Sequence, residues 1–161
     1  SEIHGGTRFS VIFPTSSTPA KEVERPARPA AVQQTMLEGL RVLCIDNDPR
    51  ILDGMRRLLE GWGCAVSTAT GSATLPDFSG GAPNIILADY HLDNEVGLDV
   101  IAALRARYGE TIPAILITAD RSNEVRAEAE ALTAMVLNKP LRPASLRTLL
   151  MRCRQMLAAA E

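Results

Sequence analysis

Arg41-Val42-Leu43-Cys44-Ile45-Asp46-Asn47-Asp48-Pro49 decides how this chain is read. A short, mostly apolar run ends in acid and amide side chains, and a proline then opens a helix at the position where a missing N–H costs nothing. Three further runs end the same way: Asn84–Ala88 leads into Asp89, Ala114–Ile117 into Thr118, and Met135–Asn138 into Lys139-Pro140. If the four runs are parallel strands of one sheet, their C-terminal ends share an edge, and open α/β sheets carry their chemistry at that edge. Carboxylates, a hydroxyl and an ammonium gathered there make a Mg²⁺-dependent phosphoryl site.

Strand and helix patterns alternate outward from this stretch. After Pro49, Ile51, Met55, Leu58, Leu59 and Trp62 recur at helical spacing until Gly61 and Gly63. This phase places Leu52 on the exposed side, beside the active edge, as a candidate partner contact. Cys64–Thr68 reads as a second strand, and Gly71–Gly81 leaves room for a helical turn or two around Pro76. Gly97 precedes a helix closed near Gly109, Asp120–Leu132 reads as a weakly amphipathic helix, and Pro143 starts a long final one. Five such units predict an α/β fold, a five-stranded doubly wound parallel sheet with helices on both faces.

The bulk numbers narrow the function. The 161 residues suffice for one buried core. A net charge of −2 without a basic cluster gives no field for nucleic acid or anionic membrane. No apolar stretch is long enough to span a bilayer, so no membrane contact by this segment is expected. Cys44, Cys64 and Cys153 lack metal spacing, and the chain reads as cytoplasmic. Lysine usage is more telling. Fifteen cations are Arg and two are Lys, and Lys139 is the one Lys after residue 40. A compact ammonium in an Arg-using chain suits a tight spot where one oxygen must be reached.

Residues 1–14 alternate like a lone strand, which cannot bury itself. Residues 15–38, with Pro19, Pro26 and Pro29 among small and charged residues, read as a flexible linker.

Taken together, Ile45-Asp46-Asn47-Asp48-Pro49, Ile86-Leu87-Ala88-Asp89-Tyr90, Thr118-Ala119 and Lys139-Pro140 closely resemble a response-regulator receiver domain, the phosphoryl-accepting module of two-component signalling. The resemblance spans residues 39–159 and implies the flavodoxin-like form of the fold. His4-Gly5-Gly6-Thr7 through Pro14 resembles the closing strand of the histidine-kinase ATPase domain, with the first glycine of that motif shifted. In this order the two pieces resemble a hybrid sensor histidine kinase.

The resemblance implies a role for each position. Asp89 is the phosphoacceptor, Thr118 donates its hydroxyl to a phosphoryl oxygen, and Lys139 neutralises another. Mg²⁺ is held by Asp46, Asn47, Asp89 and the backbone carbonyl of His91, whose imidazole faces solvent. Asn47 departs from the family pattern, which has a second acid there. Two carboxylates about 5 Å apart repel by roughly 3 kcal/mol at an effective dielectric of 20, so the amide relieves the empty site and weakens Mg²⁺ comparably. Asp48 either compensates in part or caps the helix that starts at Pro49. Lys139-Pro140 is expected to be a cis peptide. At the switch position the family carries Phe or Tyr; Val136 has no ring to swing, which suits a relay whose output is the phosphoryl group. The implied partners are a histidine-kinase phosphohistidine (dimerisation) domain, in the same parent chain, and a histidine phosphotransfer protein.

Three alternatives remain at this level. A haloacid-dehalogenase-like phosphatase would use Asp46-x-Asp48 as its nucleophile motif, but Arg50 and the lack of a late acidic pair after Lys139 argue against it. A pseudo-receiver, disabled by Asn47 and Val136, would only dock partners. A free-standing response regulator is disfavoured because no output domain follows Leu157.

Overall fold

The computed structural model describes residues 37–109 and 112–159. The strand expected over 1–14, and the linker expected over 15–38 apart from Leu37 and Glu38, lie outside the described residues. Among the described residues five strands form: β1 (Arg41–Ile45), β2 (Ala65–Ala69), β3 (Ile85–Asp89), β4 (Ala114–Thr118) and β5 (Ala134–Asn138). The helices are α1 (Pro49–Glu60), α2 (Gly97–Tyr108), α3 (Asn123–Ala131) and α4 (Pro143–Ala158). Every neighbouring pair is parallel, in the order β2-β1-β3-β4-β5. The doubly wound parallel sheet read from the sequence is the observed fold.

Alternation along the strands builds two cores. Val42, Cys44, Ile85, Leu87, Ile115 and Ile117 face α1 and α4, packing on Leu59, Leu146, Leu150 and Cys153. Leu43, Ile45, Ile86, Ala88 and Leu116 face the other way, onto Leu98, Ile101 and Leu104 of α2 and Val125 of α3. Strands buried on both sides read as continuous apolar runs, which is why β1, β3 and β4 were legible. Each fully buried Leu or Ile contributes about 1.5–3 kcal/mol. Leu37 is completely buried in the first core. All three thiols are buried, and desolvation pushes Cys44 up to about 12 and Cys64 and Cys153 up to about 11. No described helix is long and apolar enough to cross a membrane.

Two expectations are corrected. Leu52 is not an exposed partner contact: it is 6% exposed and packs in the first core with Met55 and Leu59, while Ile51 is 37% exposed. At about 100° per residue, Leu52, Met55 and Leu59 fall within about 60° of one another, and Ile51 lies about 70° off their centre. Taking Ile51 as the first inward residue rotated the helix by most of one position. The second unit keeps to the turn or two that its sequence leaves room for and holds no α-helix. Only a short 3₁₀ turn, Ser72–Thr74, forms before β3. Pro76 and the Gly80-Gly81 pair interrupt the backbone ladder, and Leu75 and Phe78 cover the sheet instead. The Phe78 ring stands edge-on to Tyr108 of α2 at 5.3 Å. The helix expected from Asp120 starts at Asn123, because Ser122 caps it by accepting from the Val125 N–H at 3.4 Å.

Candidate functional site

Three backbone hydrogen bonds carry the strand ladder past the ends of the strands and line up the polar residues. The Asp46 N–H donates to Ala69 O at 3.2 Å, Tyr90 N–H to Ile117 O at 2.8 Å, and Lys139 N–H to Thr118 O at 2.8 Å. Asp46, Asp89, Thr118 and Lys139 therefore sit on one edge of the sheet, with Asp46 and Asp89 at the ends of adjacent strands. Between those strands the winding changes direction, which is where open α/β sheets form their crevice. Asp46 and Asp89 are each 6% exposed and Thr118 is 1% exposed. Carboxylates this buried need a partner. Lys139 supplies it, with Nζ 2.9 Å from Asp89 Oδ1 and 4.0 Å from Asp46 Oδ2. The Lys139–Pro140 peptide bond is cis and Pro140 is exposed.

Two carboxylates against one ammonium leave the cluster with one net negative charge. Asp46 records the crowding. Burial, and then the neighbouring charge of Asp89, raise its carboxyl pKa, against the opposing pull of the Asp48 N–H and Lys139. Its Oδ1 accepts from the Asp48 N–H at 2.9 Å. Thr118 Oγ1 accepts from the Asp120 N–H at 3.0 Å, which fixes the oxygen and leaves its own hydrogen to donate.

The flanking positions divide. Asn47 Nδ2 donates to Asp93 Oδ1 at 2.6 Å. Asp48 turns away: its carboxylate caps α1 through the Arg50 N–H at 2.9 Å and pairs with the Arg50 guanidinium at 2.8 and 3.0 Å. That pairing pulls its carboxyl down to about 2. Of the two roles open to Asp48, the helix cap is the one its contacts match. His91 is exposed, with its ring edge-on to Tyr90 at 4.7 Å. Val136 lies half-buried on β5 opposite Leu116, in the second core.

Some contributors had escaped the sequence reading. Gly97, the first residue of α2, donates its N–H to Tyr90 O at 2.9 Å, and a Cβ built on it would overlap the Asp89 carbonyl oxygen. A glycine inside the first turn of a helix, where it lowers helix propensity, was the available signal. Tyr90 reaches α3 through a 3.0 Å hydrogen bond to Glu128, whose carboxylate raises the phenol pKa. Glu95 accepts from the Ser72 N–H at 2.6 Å and ties the β3–α2 loop to the 3₁₀ turn. The Asp93 contact had no sequence signal, because it joins residues 46 positions apart.

A cavity of about 570 Å³ lies elsewhere, along β5 between α3 and α4, with Arg126, Glu130, Met135 and Met156 in its lining. It gathers no comparable cluster of buried charge, so the chemistry belongs to the strand edge. Among the described residues, no group of three or more His, Cys, Asp or Glu side chains could hold a metal ion. The edge offers two carboxylates and the amide of Asn47.

A family model described as response regulator receiver domain matches residues 42–151. Among solved structures, the chemotaxis protein CheY4 of Vibrio cholerae is 24% identical with a TM-score of 0.66, covering 71% of this chain and 98% of that one. A CheY-like receiver domain protein from Methanospirillum hungatei is 22% identical with a TM-score of 0.67, covering 76% and 99%. A response regulator from Burkholderia pseudomallei, solved with a phosphorylated aspartic acid, a calcium ion and citrate, is 26% identical with a TM-score of 0.62, covering 74% and 71%. No curated protein matches the chain significantly.

Proposed function

The chain belongs to the response regulator receiver domain family, and we propose that it is the phosphoacceptor of a phosphorelay, with Asp89 as the group that carries the phosphoryl. Receiver domains of two-component signalling work with histidine kinases or phosphotransfer proteins. The donor proposed here is a phosphohistidine on the dimerisation domain of a histidine kinase in the same parent chain, as the resemblance of residues 1–14 suggests. The acceptor is a histidine phosphotransfer protein or water.

The observation that carries this reading is the Lys139 ammonium, 2.9 Å from Asp89 Oδ1 and 4.0 Å from Asp46 Oδ2 at one buried edge. An ionised Asp89 oxygen attacks phosphorus in line, forming the acyl phosphate. The P–N bond breaks and its electron pair leaves on the imidazole nitrogen. Charge grows on the phosphoryl oxygens. Lys139 neutralises one, and the Thr118 hydroxyl donates to another. In the onward step a phosphotransfer imidazole or water attacks phosphorus, the O–P bond breaks, and the Asp89 carboxylate is restored.

Mg²⁺ fits this donor set. The cluster has a net negative charge, two hard carboxylate oxygens, and a raised Asp46 carboxyl that a cation would relieve. Asp46, Asp89, the Asn47 amide oxygen and the His91 backbone carbonyl would hold it; when bound, it supplies positive charge against the phosphoryl oxygens. With two carboxylates instead of three, affinity is expected to be modest. Asn47→Asp should bind Mg²⁺ more tightly.

Acetyl phosphate with Mg²⁺ tests the reading by intact mass. The wild type should gain one phosphoryl group, Asp89→Asn none, and Lys139→Gln should react about 10²-fold more slowly. Label on Asp46 would instead mark a phosphatase-like nucleophile. No mass gain at all would leave a phosphorylation-independent docking module.

A further inference from the structure

Asp93 is exposed on the β3–α2 loop, four residues past Asp89, and its Oδ1 takes a 2.6 Å hydrogen bond from Asn47 Nδ2. A carboxylate can only accept at neutral pH, so the amide edge facing Asp93 has to be the NH₂ group. That assignment puts the Asn47 carbonyl oxygen on the other edge of the planar amide, away from Asp93. We propose that Asp93 is a positioning residue for Asn47: it grips the NH₂ so that the carbonyl oxygen faces Asp46 and Asp89 as a ligand for the divalent cation. The proposal rests on the Mg²⁺-dependent reading above.

Two physical effects follow from one contact. A free Asn amide rotates between two near-equivalent orientations, only one of which offers oxygen to a cation; a charge-assisted hydrogen bond selects that one. Donation from nitrogen to a carboxylate also shifts electron density toward the amide oxygen and makes it a better ligand. This is the way a carboxylate behind a metal-binding side chain acts at other metal centres, where removing it typically lowers metal affinity about 10–100-fold. Part of the charge that position 47 lacks is thus supplied one bond further out, from a residue of another loop. An aspartate at position 47 would have no N–H to offer, and Asp93 would then only repel it.

The test is a Mg²⁺ titration, followed by calorimetry and by amide NMR shifts, of the wild type, Asp93→Ala, Asn47→Asp and the double variant. Asp93→Ala should weaken Mg²⁺ about 10-fold in the native background and clearly less in the Asn47→Asp background, where only its through-space charge is lost. Without metal, the wild type should show one strongly downfield Asn47 side-chain NH₂ proton that Asp93→Ala loses. Equal weakening in both backgrounds would reduce Asp93 to a distant negative charge and overturn the proposal. Unchanged affinity in the native background would also overturn it, leaving the metal site itself standing. A wild type that binds no Mg²⁺ would overturn the metal reading and this proposal with it.

Discussion

Gly97→Ala should cost stability and phosphoryl acceptance together, although Gly→Ala in a helix normally helps. The usual gain is about 0.5–1 kcal/mol, because glycine loses more freedom on folding. Gly97 is not among the positive-φ glycines, so its backbone alone gives no reason to resist alanine. Its surroundings do. A Cβ there would overlap the Asp89 carbonyl oxygen, lie 3.0 Å from the Asp89 carbonyl carbon and touch the Ala88 Cβ at 3.4 Å. The first two neighbours are backbone and cannot swing aside, so α2 or the end of β3 must shift by about 1 Å. Overpacking of this kind costs about 1–3 kcal/mol, which outweighs the propensity gain. A displacement of about 1 Å at a reacting group costs about 10²-fold in rate. Gly54 is the control: it lies in α1 with nothing within 4 Å of its Cβ position, so Gly54→Ala should stabilise by about 0.5–1 kcal/mol. Urea midpoints and acetyl-phosphate rates for the two variants decide the matter. If Gly97→Ala were as stabilising as Gly54→Ala, the close approach would be wrong. If it were destabilised with an unaltered rate, the movement would be absorbed by α2 and the link to Asp89 would fail.

The corrected phase of α1 makes a paired prediction. Leu52→Ala should lose about 2–5 kcal/mol by leaving a cavity against the sheet, and Ile51→Ala should stay within about 0.5 kcal/mol, as denaturation midpoints would show. Asp46→Asn should stabilise the metal-free protein at neutral pH. The folded Asp46 carboxyl is raised above 3.8, so the folded state binds its proton more tightly than the unfolded chain does. That contribution is present below pH 3.8 and is lost as pH rises through the folded value. The advantage of Asn should therefore grow as pH rises above 3.8 and level off past the folded value in chelator-treated samples, and a difference constant with pH would refute the argument.

Most of the edge could be read before any coordinates. Asp46, Asp89 and Thr118 stand at the ends of runs buried on both sides, and such runs carry their own signature in β-branched and aliphatic residues. The scarcity of lysine singled out Lys139 independently. Weaker signals failed in understandable ways. In α1, Ile51 and Leu52 are both apolar, and a period of 3.6 does not say which of two adjacent residues leads inward until the sheet is there to receive one. In residues 71–84, composition announced a broken helix but not that Leu75 and Phe78 would take over its cover.

By itself, then, the order of residues determined the strands, their parallel winding and the identity of the groups brought to their ends, because these depend on local hydrophobic pattern and on connection rules that hold for every such sheet. Only the folded chain decided how the β3–α2 loop meets that edge: Gly97 against the carbonyl of Asp89, Asp93 against the amide of Asn47, Tyr90 against Glu128. Those contacts join residues 8 to 46 positions apart. They are set by where a loop comes to rest on a finished scaffold, and no periodicity in the sequence encodes that.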